Sequence, residues 1–412
     1  MSSHLDELET RSPERRERDQ FEALAAQVAH AKAQSAYFAR ELREIDPQAL
    51  TDRAALARLP IMRKSDLHAL QQSAPPFGGL TAVDTARLAK VFVSPGPIYD
   101  PEGRAADYWR LRRALFAAGF RAGDLVQNCF SYHLVPAGSM LEGGLRALGC
   151  VVIPAGVGQT DMQVSTMADL RPVGYTGTPS FLKLILEKGD ELNRDLSHVK
   201  KALVSGEAFP APLREFFAAR GVVAYQGYAT ADVGTIAFET SAREGLVVDE
   251  GVLVEIVRPG PGDPVPEGEV GEVVVTGIAC VDYPLIRFAT GDLSAVLPGV
   301  SPCGRTNMRI KGWMGRADQT TKVRGMFVHP HQIADVVKRF PIIQRARVVV
   351  DSEGGSDRMR ILCAVTSSAD GLKVQIETAV REVTRLRGDV EFVEAQLLPN
   401  DGKVIEDLRQ VS

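Results

Sequence analysis

The chain has 412 residues, 45% hydrophobic and 24% charged. That is ordinary for a globular protein and too long for one compact core, so two or more domains are expected. The net charge of −4, from 48 basic and 52 acidic residues, lacks the basic excess that marks nucleic-acid or anionic-membrane binding.

Five scattered cysteines, none in a CxxC pair, argue against a disulfide framework or a Cys-rich zinc site and point to a reducing cytoplasm. The charged N-terminus does not read as a signal peptide, and no run of roughly 18 apolar residues offers a spanning helix.

Residues 1–20 read as a charged, solvated arm. Phe21 to Leu42 carries apolar residues at helical spacing, a short helix follows near Asp52–Ala57, and Ser65 and Asp66 are placed to cap another. After Ala89, strand-like runs alternate with helical ones. Lys90–Ser94, Leu125–Phe130, Cys150–Pro154, Pro172–Tyr175, Lys201–Ser205 and Val222–Tyr225 are the strands. Asp107–Ala118, Met140–Leu148, Phe181–Lys188 and Pro212–Ala219 are the helices. The alternation predicts a largely parallel sheet with helices on both faces. The loops SPGP, TGTPS, SGEAFP and YQGYAT are expected at the carboxyl ends of strands, where such folds bind ligands.

From Leu246, GVLVEIVRP and VGEVVVTGI alternate in polarity around PGPGDPVPEGE, as in an antiparallel β subdomain. Beyond Gly315 a βαββαβ-like order is expected, with a helix at Pro330–Phe340, paired strands at Ala346–Asp351 and Arg360–Val365, a helix at Val374–Leu386 and a strand at Val390–Leu397. The predicted class is α/β. Residues 1–317 form a large N-terminal domain with α/β sheets and a β subdomain, led in by a helical segment (1–88). Residues 318–412 form a small C-terminal α+β domain joined by a hinge.

No serine-hydrolase elbow or P-loop motif is present. His133 reads as a packed or hydrogen-bonded residue. His329 and His331 read as a loop-to-helix turn, and Cys303 as a structural cysteine without a local partner. Asp292, on a tight Thr-Gly turn, could accept hydrogen bonds from two adjacent hydroxyls, as on a ribose; a turn aspartate without ligand is the alternative. Arg316 adds a donor fork suited to ribose or phosphate oxygens. Lys403, on a Gly-containing turn, is either a solvated lysine or one that delivers charge to a phosphate in a transition state.

Taken in order, LARLPIMRKSDL, RALGCVVIPAGVGQT, PEGEVGEVVVTGIACVDYPLIRFATGDL and GRADQTTKVRGMFVHPHQIADVV resemble the adenylate-forming superfamily of acyl- and aryl-CoA ligases, in its phenylacetate–CoA ligase-like branch. The resemblance implies that ATP and a carboxylic acid give an acyl-adenylate and pyrophosphate. The small domain then rotates, and coenzyme A yields a thioester and AMP. Carried over by motif, Ser205, Gly206, Glu207 and Ala208 flank the adenine. Tyr225 or Tyr228, beside Gln226 and Gly227, stacks on it. Thr230 contacts phosphate, Asp292 and Arg316 hold the ribose, Asp318 is the hinge, Lys403 is the adenylation lysine and Gly325 faces coenzyme A. The carboxylate pocket is expected from Phe130, Tyr132, His133, Ala137, Gly138, Thr176, Gly177 and Thr178, with the loop around Gly156 to Gly158. Its aromatic and small residues suit a flat aryl or arylacetic acid. The implied partners are a small aromatic carboxylic acid, ATP, Mg²⁺ and coenzyme A, with no nucleic acid and no membrane; a homodimer is the candidate assembly.

Two motifs depart from the family pattern. The Ser/Thr/Gly-rich phosphate loop ends in a lysine; here Ser94 and Gly96 remain, but the lysine position falls at Asp100, an acid that should repel phosphate. The usual Y-G-x-T-E becomes Y-A-T-A-D, so Asp232 stands where the magnesium-associated glutamate would be. Two alternatives follow: a homologue that binds nucleotide or acyl-AMP without turnover, and an adenylating enzyme that uses a carrier protein or another acceptor.

Overall fold

The computed structural model describes residues 3–94, 97–324, 326–353, 356–366, 371–398 and 404–409. The chain divides into two compact units. The first comprises residues 1–290 and 294–313, the second residues 291–293 and 314–412.

The expected single helix over Phe21–Leu42 is two, Pro13–Gln34 and Ala36–Glu41. Ser35 separates them: its hydroxyl donates to Gly79 O (2.8 Å) and receives Phe38 N–H. Ser12 caps the first helix through Arg15 N–H, so helix begins eight residues earlier than expected. Asp52 caps Arg53–Ala57 through Ala55 N–H (2.7 Å), whereas Ser65 and Asp66 bond to each other and cap nothing.

The N-terminal arm is largely exposed, as expected, but it is anchored at a few buried polar residues. Glu9 and Arg16 are buried. Arg16 and Arg11 both bind Glu250, and Arg305 binds Glu9 at 3.2 Å. Alternating charge reads as a soluble tail because Glu250, which binds Arg11 and Arg16, and Arg305, which binds Glu9, lie some 230 to 300 residues away.

Lys90–Ser94 (β1) and Ile98–Glu102 (β2) form a separate antiparallel hairpin, pairing Phe92 with Asp100 and Ser94 with Ile98. Leu125–Asn128 (β3), Val151–Pro154 (β4), Gly174–Gly177 (β5), Lys201–Val204 (β6) and Val223–Thr230 (β7) are mutually parallel. Gly234–Phe238 (β8) then pairs antiparallel with β7. Among the described residues the sheet runs β4-β3-β5-β6-β7-β8. It continues through Leu246–Val248, Arg309–Ile310, Phe288–Leu297, Val270–Gly277 and Val252–Val257. The chain leaves β3 first to one side and then to the other, so the crevice of an open α/β sheet lies at the carboxyl ends of β3 and β5. TGTPS begins in the last two residues of β5 and runs out of it, and SGEAFP follows β6. YQGYAT instead lies within β7, and Ser94 of SPGP ends a hairpin strand, not a strand of the parallel sheet.

The β subdomain pairs as expected, Val252 opposite Gly277 through Val257 opposite Glu272. Both faces of Val252–Val257 are buried, which the alternation did not suggest. In the second unit Ile343–Glu353 and Ser356–Val365 pair antiparallel, flanked by Asp389–Phe392 and Ile405–Asp407. Helices Pro330–Arg339 and Leu372–Thr384 pack on this sheet around Ile333, Val348, Ile361 and Ile376. Among the described residues no helix is long and apolar enough to cross a membrane.

Cys303 has the local partners that its sequence did not reveal: Ser301 Oγ lies 3.0 Å from its sulfur and Arg305 Nη1 3.5 Å. Burial raises this thiol, but hydrogen bonds from Ser301, Thr240 and Arg305 outweigh it and bring the thiol down to about 7. Burial pushes Cys129 and Cys363 up to about 12 and Cys150 to about 11.

Two outcomes are expected. Glu250→Ala, which strands the buried Arg16 and leaves Arg11 with Asp19 alone, lowers stability by about 3–5 kcal/mol in urea unfolding. Iodoacetamide labelling read by mass spectrometry modifies Cys303 before Cys129, Cys150 and Cys363, with its rate rising through a pH of about 7 as the thiolate forms.

Candidate active site

The site is built around Asn128, the buried last residue of β3. Its side-chain amide donates to Tyr132 Oη (2.8 Å) and Gly138 O (2.9 Å). Its carbonyl oxygen accepts from Thr176 Oγ1 (3.0 Å) and Phe130 N–H. One side chain thus joins the ends of β3 and β5 to the start of the Ala137–Leu148 helix. Gly138 is required there, because a Cβ would lie 2.8 Å from Ser131 O and from the Tyr132 ring. Neither the amide nor its role was anticipated; a polar residue closing the apolar run Leu125–Asn128 was the available signal.

A cavity of about 190 Å³ opens beside this joint. Its apolar wall is Leu111, Ala114, Phe130, Ala137, Met140 and Leu203. Its polar lining is Ser94, Ser205, Gly206, Tyr228, Thr230 and Thr235. Thr235 Oγ1 is buried and has no hydrogen-bond partner among the described residues. Leu111, Ala114 and Met140 come from the buried faces of two helices, and nothing in the sequence singles them out from core positions.

Of the expected carboxylate pocket, Phe130 and Ala137 line the cavity. Tyr132, Gly138 and Thr176 lie behind it in the Asn128 joint, and Gly177 is buried against Tyr175. His133 is exposed, and Thr178 caps the Pro179–Glu191 helix through Phe181 N–H. Gly156 and Gly158 give their carbonyls to Gln163.

Of the nucleotide residues, Ser205, Gly206, Gly227, Tyr228 and Thr230 reach the cavity. Gly206 has a φ of +84°, which only glycine adopts without strain. Glu207 accepts Ser180 N–H at 2.6 Å and so ties this loop to the neighbouring helix, and Ala208 is exposed. The two tyrosines separate: Tyr228 lines the cavity, whereas the Tyr225 ring is covered by the Arg243 guanidinium at 3.9 Å. Gln226 donates its backbone N–H to Glu239.

β7 and β8 carry an irregularity: Tyr228 faces Ala237 but Ala229 faces Thr235, so Ile236 is an extra residue. The bulge sends Ile236 and Ala237 to the same core and leaves Thr235 at the cavity.

The hairpin register dictates the neighbourhood of Asp100. Alternation puts Phe92, Ser94, Ile98, Asp100 and Glu102 on the buried face. Glu102 is well satisfied, by Trp109 Nε1 (2.7 Å), Ser139 Oγ (2.9 Å) and Lys90 Nζ (3.1 Å). Neither carboxylate oxygen of Asp100 has a formed hydrogen bond among the described residues. Burial first, then the charge of Asp232, push its carboxyl up to about 7, with Ser94 and Lys64 opposing. Asp232 receives Lys64 Nζ at 2.6 Å on one oxygen, and the other is buried without a partner.

In the second unit Asp292 and Arg316 form an ion pair at 3.3 Å and a backbone bridge. The Arg316 side chain closes over Gly291, where a Cβ would lie 2.7 Å from a guanidinium nitrogen. Asp318 lies in the 3₁₀ turn Ala317–Gln319. Gly96, Gly325 and Lys403 fall outside the described residues.

A family model described as AMP-binding enzyme matches residues 113–281. The phenylacetate–coenzyme A ligase of Thermus thermophilus is 30% identical over 380 residues, covering 87% of this chain and 84% of that protein. The enzyme of the same name from Escherichia coli K12 is 26% identical over 439 residues, covering 100% and 99%. An open conformation of 2-hydroxyisobutyryl-CoA ligase, solved with its acyl-AMP and CoA, superimposes with a TM-score of 0.85 at 23% identity over 98% of this chain and 93% of that one, which shows the fold. With these relatives, and with the motif residues of β6 and β7 gathered at one cavity, the chain belongs to the adenylate-forming AMP-binding enzymes, in the phenylacetate–coenzyme A ligase-like branch.

Proposed function

We propose that this protein uses ATP to convert an aromatic carboxylic acid, of aryl or arylacetic type, to an acyl-adenylate and pyrophosphate, then transfers the acyl group to coenzyme A with release of AMP. The observation that carries the reading is the cavity, where an apolar wall able to take a flat ring meets the polar residues of the nucleotide motifs. The relatives named as phenylacetate–coenzyme A ligases support the acid class, and the ligase solved with acyl-AMP and CoA supports the two-step course.

The chemistry requires activation because a carboxylate oxygen leaves poorly as oxide and well as part of AMP. Tyr228 is the better placed of the two tyrosines to stack on adenine, with Ser205 to Ala208 along its edge. Asp292 and Arg316 are assigned to the ribose and Thr230 to phosphate. Lys403 offsets charge on the α-phosphate as pyrophosphate departs. Asp318 is the pivot between the two half-reactions, and Gly325 faces coenzyme A in the second. The unpartnered oxygen of Asp232 fits a cation, so Asp232 would hold Mg²⁺, which when bound supplies charge neutralisation at the phosphates. A cytoplasmic homodimer is the working assembly.

The buried Asp100 favours a second reading, binding of nucleotide or acyl-AMP without turnover. Pyrophosphate exchange separates the two. The first reading expects Mg²⁺-dependent exchange with at least one member of an aryl-acid panel, and its absence across the panel leaves the second. In an active enzyme, Lys403→Ala suppresses exchange yet spares thioester formation from supplied acyl-adenylate; equal loss of both steps removes the assignment. Ala137→Phe, which fills the cavity, raises KM for the acid at least about tenfold while KM for ATP changes little in steady-state assays.

A further inference from the structure

We propose that the acid taken by this cavity carries a hydroxyl on its ring, and that Thr235 selects it by hydrogen bonding to that group. The substrate class narrows to hydroxylated single-ring aromatic acids. The assignment rests on the cavity being the acid pocket, as the adenylation reading has it.

Thr235 is 1% exposed, and its Oγ1 has no hydrogen-bond partner among the described residues. The sheet fixes where that hydroxyl stands. Thr235 lies opposite Ala229 of β7, cross-strand partners share a face, and both residues line the cavity. Its backbone N–H donates to Trp109 O (3.0 Å) and its carbonyl accepts from Arg110 Nη2 (3.2 Å). These bonds pin it beside the start of the Leu111–Ala117 helix. Leu111 and Ala114 of that helix, with Phe130, Met140 and Leu203, belong to the apolar wall. A hydroxyl is thus held in a fixed position at an apolar cavity.

A buried hydroxyl costs free energy unless something bonds to it. Packing alone would be served by valine, which has nearly the same shape without that cost, and the next residues of β8, Ile236 and Ala237, are apolar and join the core. Two other hydroxyls of the lining have local uses. Thr230 Oγ1 accepts Val233 N–H at 3.2 Å. Ser94 Oγ lacks a formed bond but serves the Asp100 carboxyl, whose rise it opposes. Thr235 has no such use, so its partner comes with the ligand. Among the described residues no charged side chain lines the cavity, and a charged substituent would be buried there uncompensated. A ring hydroxyl is neutral and both donates and accepts, as Thr235 Oγ1 does. A cavity of about 150 Å³ takes a benzene ring. The volume here, about 190 Å³, leaves room for one ring and a small substituent.

The test is calorimetric titration of the full chain with benzoic and phenylacetic acids and the three ring-monohydroxy isomers of each, alongside pyrophosphate exchange with the same acids. The expected result is that one hydroxylated isomer binds at least about tenfold more tightly than its unsubstituted counterpart and leads the panel in kcat/KM. Thr235→Val, which keeps the shape and removes the hydroxyl, brings that ratio near unity; Thr235→Ser, which keeps the hydroxyl, retains the preference. Melting curves establish that the variants are folded. If Thr235→Val does not fold, the preference of the unaltered chain still reads the site. Unsubstituted acids that bind as well as every hydroxylated isomer overturn the proposal. So does a preference that survives in folded Thr235→Val, or one lost equally in Thr235→Ser. Equal loss of both members of a pair in Thr235→Val assigns the hydroxyl to their shared carboxylate and overturns it as well. Exchange without the preference overturns this assignment alone. A Thr235-dependent preference in binding without exchange upholds it and removes the adenylation reading, and neither binding nor exchange overturns both.

Discussion

The position of the cavity depends on the amide of Asn128. Parallel strands bring their carboxyl ends to one edge, but they do not fix the loops that leave it. Asn128 does so by using both ends of its side chain, donating towards the Tyr132–Gly138 segment and accepting from Thr176 and Phe130. In a buried setting each of those bonds is costly to leave unmade, on the order of 1–3 kcal/mol per stranded group. The geometry is therefore held by polar bonds, and the apolar residues that follow, Phe130 and Ala137, are delivered to the cavity by them.

Charge is distributed in two contrasting ways. At the N-terminal arm, buried arginines and acids are matched: Arg11 and Arg16 with Glu250, Arg305 with Glu9. At the hairpin, Glu102 is matched and Asp100 is not. Neither Asp100 oxygen has a formed hydrogen bond among the described residues, and burial beside Asp232 raises its carboxyl instead.

The order of strands and helices, the β subdomain and the α+β arrangement of the second unit were legible because their signals are periodic and local. The loop sites Ser205 and Gly206 were legible as motifs. Three things were not. The ion pairs of the arm join residues far apart in sequence, and no local pattern encodes a partner near residue 250 or 305. The cavity wall of Leu111, Ala114 and Met140 has the same helical spacing whether it faces core or ligand. The difference between Tyr225 and Tyr228 depends on Arg243, which arrives from a later turn to cover the first ring. Asp100 was noticed for its charge, but its burial follows from the Phe92–Asp100 register, which only the paired hairpin reveals.

The extra residue at Ile236 separates two kinds of constraint on the segment that follows YQGYAT. Identity there is loose: alanine and aspartate occupy places where related patterns carry threonine and glutamate. Length is strict. One residue more or fewer in β8 would exchange the faces of Thr235 and Ile236, placing a hydroxyl in the core and a branched alkyl chain at the cavity. The spacing between β7 and the Leu246–Val248 strand is thus a property of the site in its own right, carried by a residue that touches no ligand.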